Sequence, residues 1–336
     1  MKSKARVISE YKGAYKVKNE NGEFLARVTG KNMFTAVSRE DYPAVGDWVI
    51  IDELPEAQAV IREILPRRTI IKRKAIGEKG ATQIIATNID VAFVVQSVDR
   101  DYNLNRFERY FAIIRDGGIK PVIILNKVDL ISKEELAENL IQIKNRFPDV
   151  DAVATSIVEN DELSGLKNFI TKDKTYCFLG SSGVGKSSLI NKLIGGDVIR
   201  TENISSYSDR GKHVTTGRQM YFLENGGILI DNPGMREVGM AGVSEGINNL
   251  FDEIIGLSEM CKYSDCTHTH EAGCAVLAAV KSGKIDRDKY LNYLSLKKES
   301  EYYEMSETDK KQKDRNFGKF VKNAKKEFKS YGFKDY

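Results

Sequence analysis

The chain contains 336 residues, a length that suggests two or three domains. Hydrophobic residues make up 41% and charged residues 30% of the sequence, which is typical of a folded globular protein and excludes a fibrous or fully disordered chain. The longest uninterrupted apolar runs, such as Val91–Val95 and Val122–Leu125, have strand length, so we expect no membrane-spanning helix and no membrane partner. Because Met1–Glu10 lacks the apolar core of a signal peptide, we expect a cytoplasmic protein.

The formal net charge is only +4, but the positive charge is concentrated in two segments. Between Lys310 and Lys334 there are ten Lys or Arg residues against two acidic ones, and between Arg62 and Lys79 there are seven against two. Such clusters are typical of proteins that bind a polyanion such as RNA. A solvated lysine-rich tail is an equally good explanation of the C-terminal cluster.

Residues 1–70 are predicted to form a small β-barrel. Short strand patterns separated by turn residues occur at Ala14–Lys18, Phe24–Thr29, Val45–Ile51 and Ala59–Leu65. Five or so strands in about 70 residues favour an OB-type barrel, with an SH3-like barrel as the alternative. Trp48, the only tryptophan, is expected in the barrel core rather than on a base-stacking surface.

Residues 71–242 are predicted to form an α/β domain with a largely parallel sheet, because strand and helix patterns alternate. Strand patterns lie in Ile84–Gln96, Pro121–Leu125, Asp151–Ser156, Tyr176–Leu179 and Gly227–Ile230, and helical patterns lie in Leu104–Arg115, Lys133–Arg146 and Leu163–Ile170. Residues 243–336 are predicted to form a mostly helical domain. Its helical patterns are Ile247–Ile255, Cys274–Ser282, Arg287–Lys298 and Lys319–Tyr331.

The sequence GSSGVGKS at residues 180–187 matches the phosphate-binding loop GxxxxGK[ST] and lies between a predicted strand and a predicted helix. The glycines allow backbone N–H groups to approach the phosphates, and the helix adds its positive dipole. Lys186 is expected to reach the β- and γ-phosphates, and Ser187 is expected to ligate Mg²⁺. The predicted nucleotide-binding residues of this loop are Gly180, Ser181, Ser182, Gly183, Val184, Gly185, Lys186, Ser187 and Ser188.

The sequence Asn-Lys-Val-Asp at residues 126–129 follows a predicted strand and identifies the base as guanine. The Asp129 carboxylate can accept from the N1–H and the exocyclic amine of guanine together, a donor pair that adenine lacks. Asn126 is expected at the other edge of the base, and the Lys127 stem is expected to cover its face. Ser156 lies in a loop that is predicted to support the guanine.

A third element, Asp-Asn-Pro-Gly at residues 231–234, follows another predicted strand. Asp231 is expected to hold Mg²⁺ through water, and the Gly234 N–H is expected to contact the γ-phosphate. Thr215, with Thr216 as the alternative, is predicted to complete the magnesium coordination.

The order of these elements differs from that of ordinary GTPases, because the Asn-Lys-x-Asp motif precedes the phosphate-binding loop by some 54 residues. The domain is therefore predicted to be circularly permuted. The segment that senses the γ-phosphate then leads almost directly into the C-terminal domain.

Catalysis is predicted to be slow without a partner, because Met235 stands where many GTPases have a glutamine that orients the attacking water. We expect His213 to supply this function, a surface histidine without a role being the alternative. Gly183 occupies the position of the asparagine of potassium-activated GTPases, so no specific K⁺ requirement is expected.

Three of the four cysteines lie within 14 residues, and two histidines lie between them. Thiolate and imidazole ligands favour a closed, structural Zn²⁺ site with four ligands. The predicted ligands are Cys261, Cys266, His268 and Cys274, with His270 as the alternative histidine.

The permuted motif order, the stretch Gly180–Asn191, the preceding barrel and the cysteine cluster together resemble the circularly permuted, small-subunit-dependent GTPases of bacteria over nearly the whole chain. The resemblance implies binding of GTP and GDP, slow intrinsic hydrolysis that the 30S subunit stimulates, and a role late in the maturation of that subunit with its 16S rRNA. It also implies that His268 is the zinc-ligating histidine. Val214 departs from the threonine that related sequences often have.

Two other interpretations are a GTP-regulated protein that acts on another RNA such as tRNA, and an RNA-binding module whose nucleotide is structural. The intact Lys186, Ser187 and Asp231 argue against the second of these. A monomer is expected by default.

Overall fold

The computed structural model describes residues 2–319, apart from residues 12, 31–37, 75–81, 100–101, 159–162, 197, 200–217, 232–239, 241, 307 and 317. Among the helices of this described part, none combines the length and hydropathy needed to cross a bilayer.

The N-terminal strands form a closed barrel. They are β1 (Lys2–Tyr11), β2 (Ala14–Asn19), β3 (Gly22–Val28), β4 (Trp48–Leu54) and β5 (Gln58–Ile64). β1 pairs antiparallel with both β2 and β4, β2 pairs with β3, β5 pairs with β4, and a parallel β3–β5 pair closes the ring. A closed five-stranded barrel confirms the OB-type prediction. The long first strand, β1, had no place among the predicted strand patterns.

Every second side chain along these strands points inward, and together these side chains fill the barrel interior. The buried residues of this core are Ala5, Val7, Tyr15, Val17, Phe24, Ala26, Val49, Ile51, Ala59 and Ile61. The prediction that Trp48 belongs to the core is wrong. Because Val49 and Ile51 point inward, Trp48 faces outward and is only half-buried, with Lys4 Nζ 4.4 Å and Arg6 Cζ 5.3 Å from its ring centroid.

A two-stranded hairpin of β6 (Ile70–Lys74) and β7 (Thr82–Thr87) connects the barrel to the central sheet. The predicted strand run Ile84–Gln96 is two strands, β7 and β8 (Val91–Ser97), because the chain turns between them at Asn88, whose φ is 53°.

The central sheet also contains β9 (Lys120–Asn126), β10 (Asp151–Thr155), β11 (Thr175–Leu179), β12 (Gln219–Phe222) and β13 (Ile228–Asp231). Its order is β10-β9-β8-β11-β13-β12, with every neighbouring pair parallel except the antiparallel pair of β13 and β12, and the sheet continues from β12 into β1 of the barrel. This arrangement confirms the predicted parallel α/β sheet, and it brings the carboxyl ends of β8, β9, β11 and β13 to one edge, where ligands of such sheets bind.

The helices of this region are α1 (Leu104–Asp116), α2 (Lys133–Arg146), α3 (Ser164–Phe169) and α4 (Lys186–Ile194). The C-terminal helices are α5 (Ser244–Leu250), α6 (Asp252–Ser258), α7 (Ala275–Lys281) and α8 (Arg287–Glu304). The predicted helix Ile247–Ile255 is thus divided between α5 and α6. All but the first residue of the predicted helix Lys319–Tyr331 lies outside the described residues.

The C-terminal helices share one hydrophobic core with the α/β sheet, since buried residues from α1, α5, α7 and α8 belong to the same cluster. Gly246 in α5 permits this approach, because a Cβ at that position would lie 1.9 Å from the Ala112 carbonyl oxygen of α1. The buried ion pair of Glu108 and Arg146 adds polar contacts to α8 through Asn292.

The barrel is joined to the central sheet mainly through β1. Ser9 pairs with Gln219 of β12, and the Arg6 guanidinium donates to Asn88 O (3.1 Å) and to Thr175 Oγ1 (2.9 Å). Arg218, next to β12, donates to Glu10 Oε2 (3.3 Å) and to Ile84 O (3.1 Å).

Candidate functional site

The glycine-rich loop between β11 and α4 has positive φ angles and close backbone contacts that only glycine allows. Gly180 has a φ of +143°, and a Cβ there would lie 2.2 Å from Val95 O. Gly185 has a φ of +97°, and a Cβ there would lie 2.2 Å from Asn126 Nδ2. The loop therefore packs against the ends of two neighbouring strands, and no side chain fits at these two positions.

Lys186 is the first residue of α4, and its ammonium group lies over the loop. Lys186 Nζ donates to Gly180 O at 2.8 Å and to Ser181 O at 2.6 Å. Ser187 and Ser188 follow in the first turn of α4. The structure thus brings together an ammonium group, a hydroxyl group and a helix N-terminus, the groups that bind a polyphosphate and its metal ion.

Asn126, the last residue of β9, connects this loop to the neighbouring strand β10. Its amide donates to Val184 O at 2.8 Å and accepts from Thr155 Oγ1 at 3.1 Å, and the residue is only 1% exposed. The two predicted motifs, some 54 residues apart in sequence, are therefore in direct contact.

Asp129 and Ser156 meet at the end of the sheet. Ser156 Oγ donates to Asp129 Oδ1 at 2.6 Å and accepts from Val158 N at 3.0 Å. Ser156 is buried whereas Asp129 is exposed. A fixed, accessible carboxylate at this place can accept two hydrogen bonds from a planar ligand.

Lys127, between Asn126 and Asp129, has a left-handed backbone with a φ of 63°. Its Nζ lies 3.2 Å from Asp99 Oδ2. Asp99 follows β8 by two residues and was not singled out by any motif. The only signal in the sequence was its position after the strand that neighbours β9.

Asp231 is the last residue of β13, beside β11 and therefore beside the start of the phosphate-binding loop. The predicted residues His213, Thr215, Thr216 and Gly234 lie outside the described residues. Sequence reasoning missed Arg106 of α1, whose Nη1 donates to Ser181 Oγ at 3.2 Å. Arg106 belongs to no nucleotide-binding motif, and only the packing of α1 on the sheet brings it there.

The four predicted metal ligands form a compact cluster in the C-terminal unit. Their ligand atoms all lie within 4.8 Å of one another. His268 Nδ1 lies 3.6 Å from Cys261 Sγ and 3.5 Å from Cys274 Sγ, and the two sulfur atoms are 3.9 Å apart. A tetrahedral ion with metal–sulfur bonds of about 2.3 Å requires edges of roughly 3.6 and 3.8 Å. The cluster could therefore hold a metal ion.

The structure distinguishes the two candidate histidines. His268 is buried and faces the thiols, whereas His270 is exposed and its Nδ1 lies 2.8 Å from Thr269 Oγ1. Burial lowers the pKa of His268, which favours the neutral imidazole that a metal requires.

Two residues that the sequence did not single out shape the cluster loop. Tyr290 in α8 donates its hydroxyl to His268 O at 2.6 Å, where the backbone has a φ of 62°. Glu271 accepts from the backbone N–H groups of Thr267 (2.8 Å), Thr269 (3.0 Å) and His270 (3.1 Å). Hydrogen bonding, led by the Thr267 side chain, keeps the pKa of Glu271 well below its usual range.

Comparison with known proteins identifies the family. Residues 64–241 match the RsgA GTPase family, and residues 175–310 match a family described as 50S ribosome-binding GTPase. The small ribosomal subunit biogenesis GTPase RsgA 1 of Bacteroides thetaiotaomicron is 40% identical over 326 residues, which cover 96% of this chain and 90% of that protein. The small ribosomal subunit biogenesis GTPase RsgA of Methanosarcina acetivorans is 42% identical over 252 residues, covering 75% of this chain and 68% of that protein.

Two solved structures share the fold. The crystal structure of YjeQ from Thermotoga maritima has a TM-score of 0.64 at 23% identity and covers 88% of this chain and 97% of that one. The crystal structure of YloQ, described as a circularly permuted GTPase, has a TM-score of 0.63 at 23% identity and covers 88% and 93%. With its permuted motifs assembled at one edge of the sheet, the chain belongs to the RsgA GTPase family and is a GTP hydrolase.

Proposed function

We propose that this GTPase acts in the biogenesis of the small ribosomal subunit in the cytoplasm, as a monomer that binds the 30S subunit and its 16S rRNA. Ribosome binding stimulates hydrolysis of GTP to GDP and phosphate. The names of the relatives, which align over most of their length, support the pathway. The observation that carries the nucleotide chemistry is the contact of Asn126 with the phosphate-binding loop beside the exposed Asp129 carboxylate.

At the guanine end, Asp129 accepts from N1–H and the exocyclic amine of the base, and Ser156 fixes the orientation of that carboxylate. Asn126 meets the other edge of the base and also holds the phosphate-binding loop in register with it. The stem of Lys127 covers the face of the ring. Adenine lacks the donor pair, so binding ATP would leave the carboxylate desolvated without partners.

At the phosphate end, backbone N–H groups of residues 180–188 surround the phosphates, and Lys186 moves from its own loop carbonyls to the β- and γ-phosphates. Ser187, Thr215 and, through water, Asp231 would hold the Mg²⁺ that accompanies GTP and neutralises its charge. Gly234 senses the γ-phosphate through its N–H group. His213 orients the attacking water, since Met235 cannot do so by hydrogen bonding.

We assign the Cys261, Cys266, His268 and Cys274 cluster to one structural Zn²⁺ ion. Three thiolates and one imidazole are the ligand set that zinc prefers over harder cations, and the compact geometry leaves no open position for a substrate. We further propose three units with boundaries near residues 70 and 242. The barrel and the zinc unit flank the GTPase and contact RNA.

The test is a hydrolysis assay with GTP and ATP in parallel, with and without 30S subunits, on the wild type and on Asp129→Asn. Wild type is expected to hydrolyse GTP, with 30S stimulation of at least about tenfold, and ATP at least about 100-fold less efficiently. Asp129→Asn exchanges one acceptor for a donor that opposes the guanine amine. Its affinity for GTP should therefore fall by at least about 100-fold, with xanthosine triphosphate partly restoring activity. Equal use of GTP and ATP by the wild type, or an absence of 30S stimulation, would contradict the proposal.

A further inference from the structure

Asp99 lies between the two motifs of the nucleotide site and uses both carboxylate oxygens. Oδ1 accepts from Ser97 Oγ at 2.5 Å, and Oδ2 lies 3.2 Å from Lys127 Nζ. The exposed fractions of the two charged side chains are 24% for Lys127 and 28% for Asp99. The two charged groups are thus partly shielded, but Asp99 as a residue remains exposed, so solvent screens the pair in part.

Strand register, rather than chance proximity of long side chains, brings these residues together. Ser97 of β8 is the partner of Asn126 of β9, and the pairing continues one residue further, because Val98 N donates to Asn126 O at 3.1 Å. The residues that follow, Asp99 and Lys127, must therefore leave the sheet side by side.

Lys127 needs such a partner. Its left-handed backbone is unfavourable for a non-glycine residue and persists only where the surroundings enforce it. The flexible four-carbon stem covers one surface reliably only if the ammonium group at its end is fixed. Asp99 provides that fixed point on the side of β8.

We infer that Asp99 is a positioning residue for the nucleotide site, one that holds the Lys127 stem in the place where it covers the guanine ring. This inference rests on the proposed role of Lys127. By this account Asp99 lowers the dissociation rate of GTP and GDP alike, because the base is present in both. It leaves the chemical step unchanged, because the pair lies at the guanine end.

The chain offers a matched control at the other end of the same strand. Lys120 begins β9 and pairs with Asp151 of β10 at 2.8 Å, with both side chains at least half exposed. Asp151→Asn therefore removes an acidic partner from a β9 lysine without touching the nucleotide site.

The experiment compares Asp99→Asn, Asp151→Asn, Lys127→Ala and the double variant Asp99→Asn/Lys127→Ala in the full chain. The affinity for GDP and the dissociation rate of a fluorescent GDP analogue are measured, together with kcat at saturating GTP and Tm. Asp99→Asn keeps the shape and an acceptor for Ser97 but loses the charge. Its GDP dissociation constant should rise about fivefold to tenfold, mainly through faster dissociation, with kcat within about twofold of wild type.

In the Lys127→Ala background, Asp99→Asn should change the affinity by less than about twofold, since its effect passes through the lysine. Asp151→Asn should match wild type throughout. Unchanged affinity of Asp99→Asn, or an equal loss with and without Lys127, would overturn the inference and leave the proposed function standing. A wild-type protein that does not discriminate GTP from ATP would instead contradict the proposed function.

Discussion

The nucleotide site and the cysteine–histidine cluster are assembled in opposite ways. The first draws on residues from the ends of four strands, namely Asn126 of β9, Ser156 after β10, Lys186 after β11 and Asp231 of β13, and exists only when the sheet is formed. The second takes all four ligands from one loop of 14 residues. The lesson is that a permuted chain order leaves the first site intact, because strand register places its residues, whereas the second takes its ligands from local sequence spacing.

Removal of one cluster ligand is expected to have the largest effect on stability. Cys274→Ala should destabilise the C-terminal unit by at least about 5 kcal/mol, since structural zinc supplies about 10–16 kcal/mol in small zinc-binding domains. If the two sites are independent, GDP affinity measured well below the unfolding temperature should stay within about threefold of wild type. Thermal unfolding and bound zinc are the measurements.

Cys177→Ala is the control for loss of a thiol, because Cys177 lies buried in β11 away from the cluster. It should retain bound zinc. A Cys274→Ala protein that keeps its zinc and its Tm would show that the cluster is not a structural site, and a parallel loss of GDP binding would show that the two regions form one cooperative unit.

The buried ion pair between α1 and α2, which also contacts the C-terminal helix α8, should have the next largest effect. Glu108 is 1% exposed, its Oε1 lies 2.7 Å from Arg146 Nε, and its Oε2 accepts from Asn292 Nδ2 of α8 at 2.5 Å. Burial raises the pKa of Glu108 even beside the guanidinium group, so desolvation is severe. Glu108→Ala leaves Arg146 buried with one partner fewer and should cost about 3 kcal/mol in denaturant unfolding.

The matched control is Glu253→Gln in the more exposed pair of Lys289 and Glu253, at 3.4 Å. Its cost should not exceed about 0.5 kcal/mol. Equal costs for the two variants would mean that the joint between the regions contributes no more than a surface contact.

The smallest effect is expected at Glu271, which stabilises the cluster loop only while it is ionised. The pKa of Glu271 in the folded protein lies below the unfolded value of about 4.3, so its contribution to stability is complete at neutral pH. That contribution is lost as the pH falls from the unfolded pKa toward the lower folded pKa. Glu271→Gln should lower the Tm by a few degrees at pH 7, and the difference from wild type should shrink below about pH 4.5. A difference that does not depend on pH would contradict this assignment.

The sequence predicted most of the architecture because its signals were local. Short strand patterns separated by turn residues indicated the barrel, and the alternation of strand and helix patterns indicated the sheet. The 180–187 and 126–129 motifs indicated the two ends of the nucleotide site. The cluster ligands followed from spacing and thiolate chemistry. Within the cluster, the residues themselves left open whether His268 or His270 joins the three cysteines, and the structure places His268 among the thiols.

What the sequence could not predict depends on contacts between distant parts of the chain. The outward orientation of Trp48 is fixed by which face of β4 meets the other strands of the barrel. Asp99 and Arg106 belong to no motif, and strand register and helix packing alone bring them to Lys127 and Ser181. In the sequence Glu108 looks like an ordinary charged residue of a helix, and its burial becomes apparent only from the packing of the C-terminal helices.

Arg218 fastens the end of residues 200–217 to the barrel and to the β6–β7 hairpin. The chain enters residues 200–217, which carry His213 and Thr215, from Ile199, whose N–H and carbonyl are both bonded to the Asn191 side chain. It leaves them at Arg218, which is bound to Glu10 of β1 and to Ile84 of the hairpin. Tension on the barrel would therefore reach one end of this segment across a single residue, while the other end is held by Asn191 of the helix that follows the phosphate-binding loop.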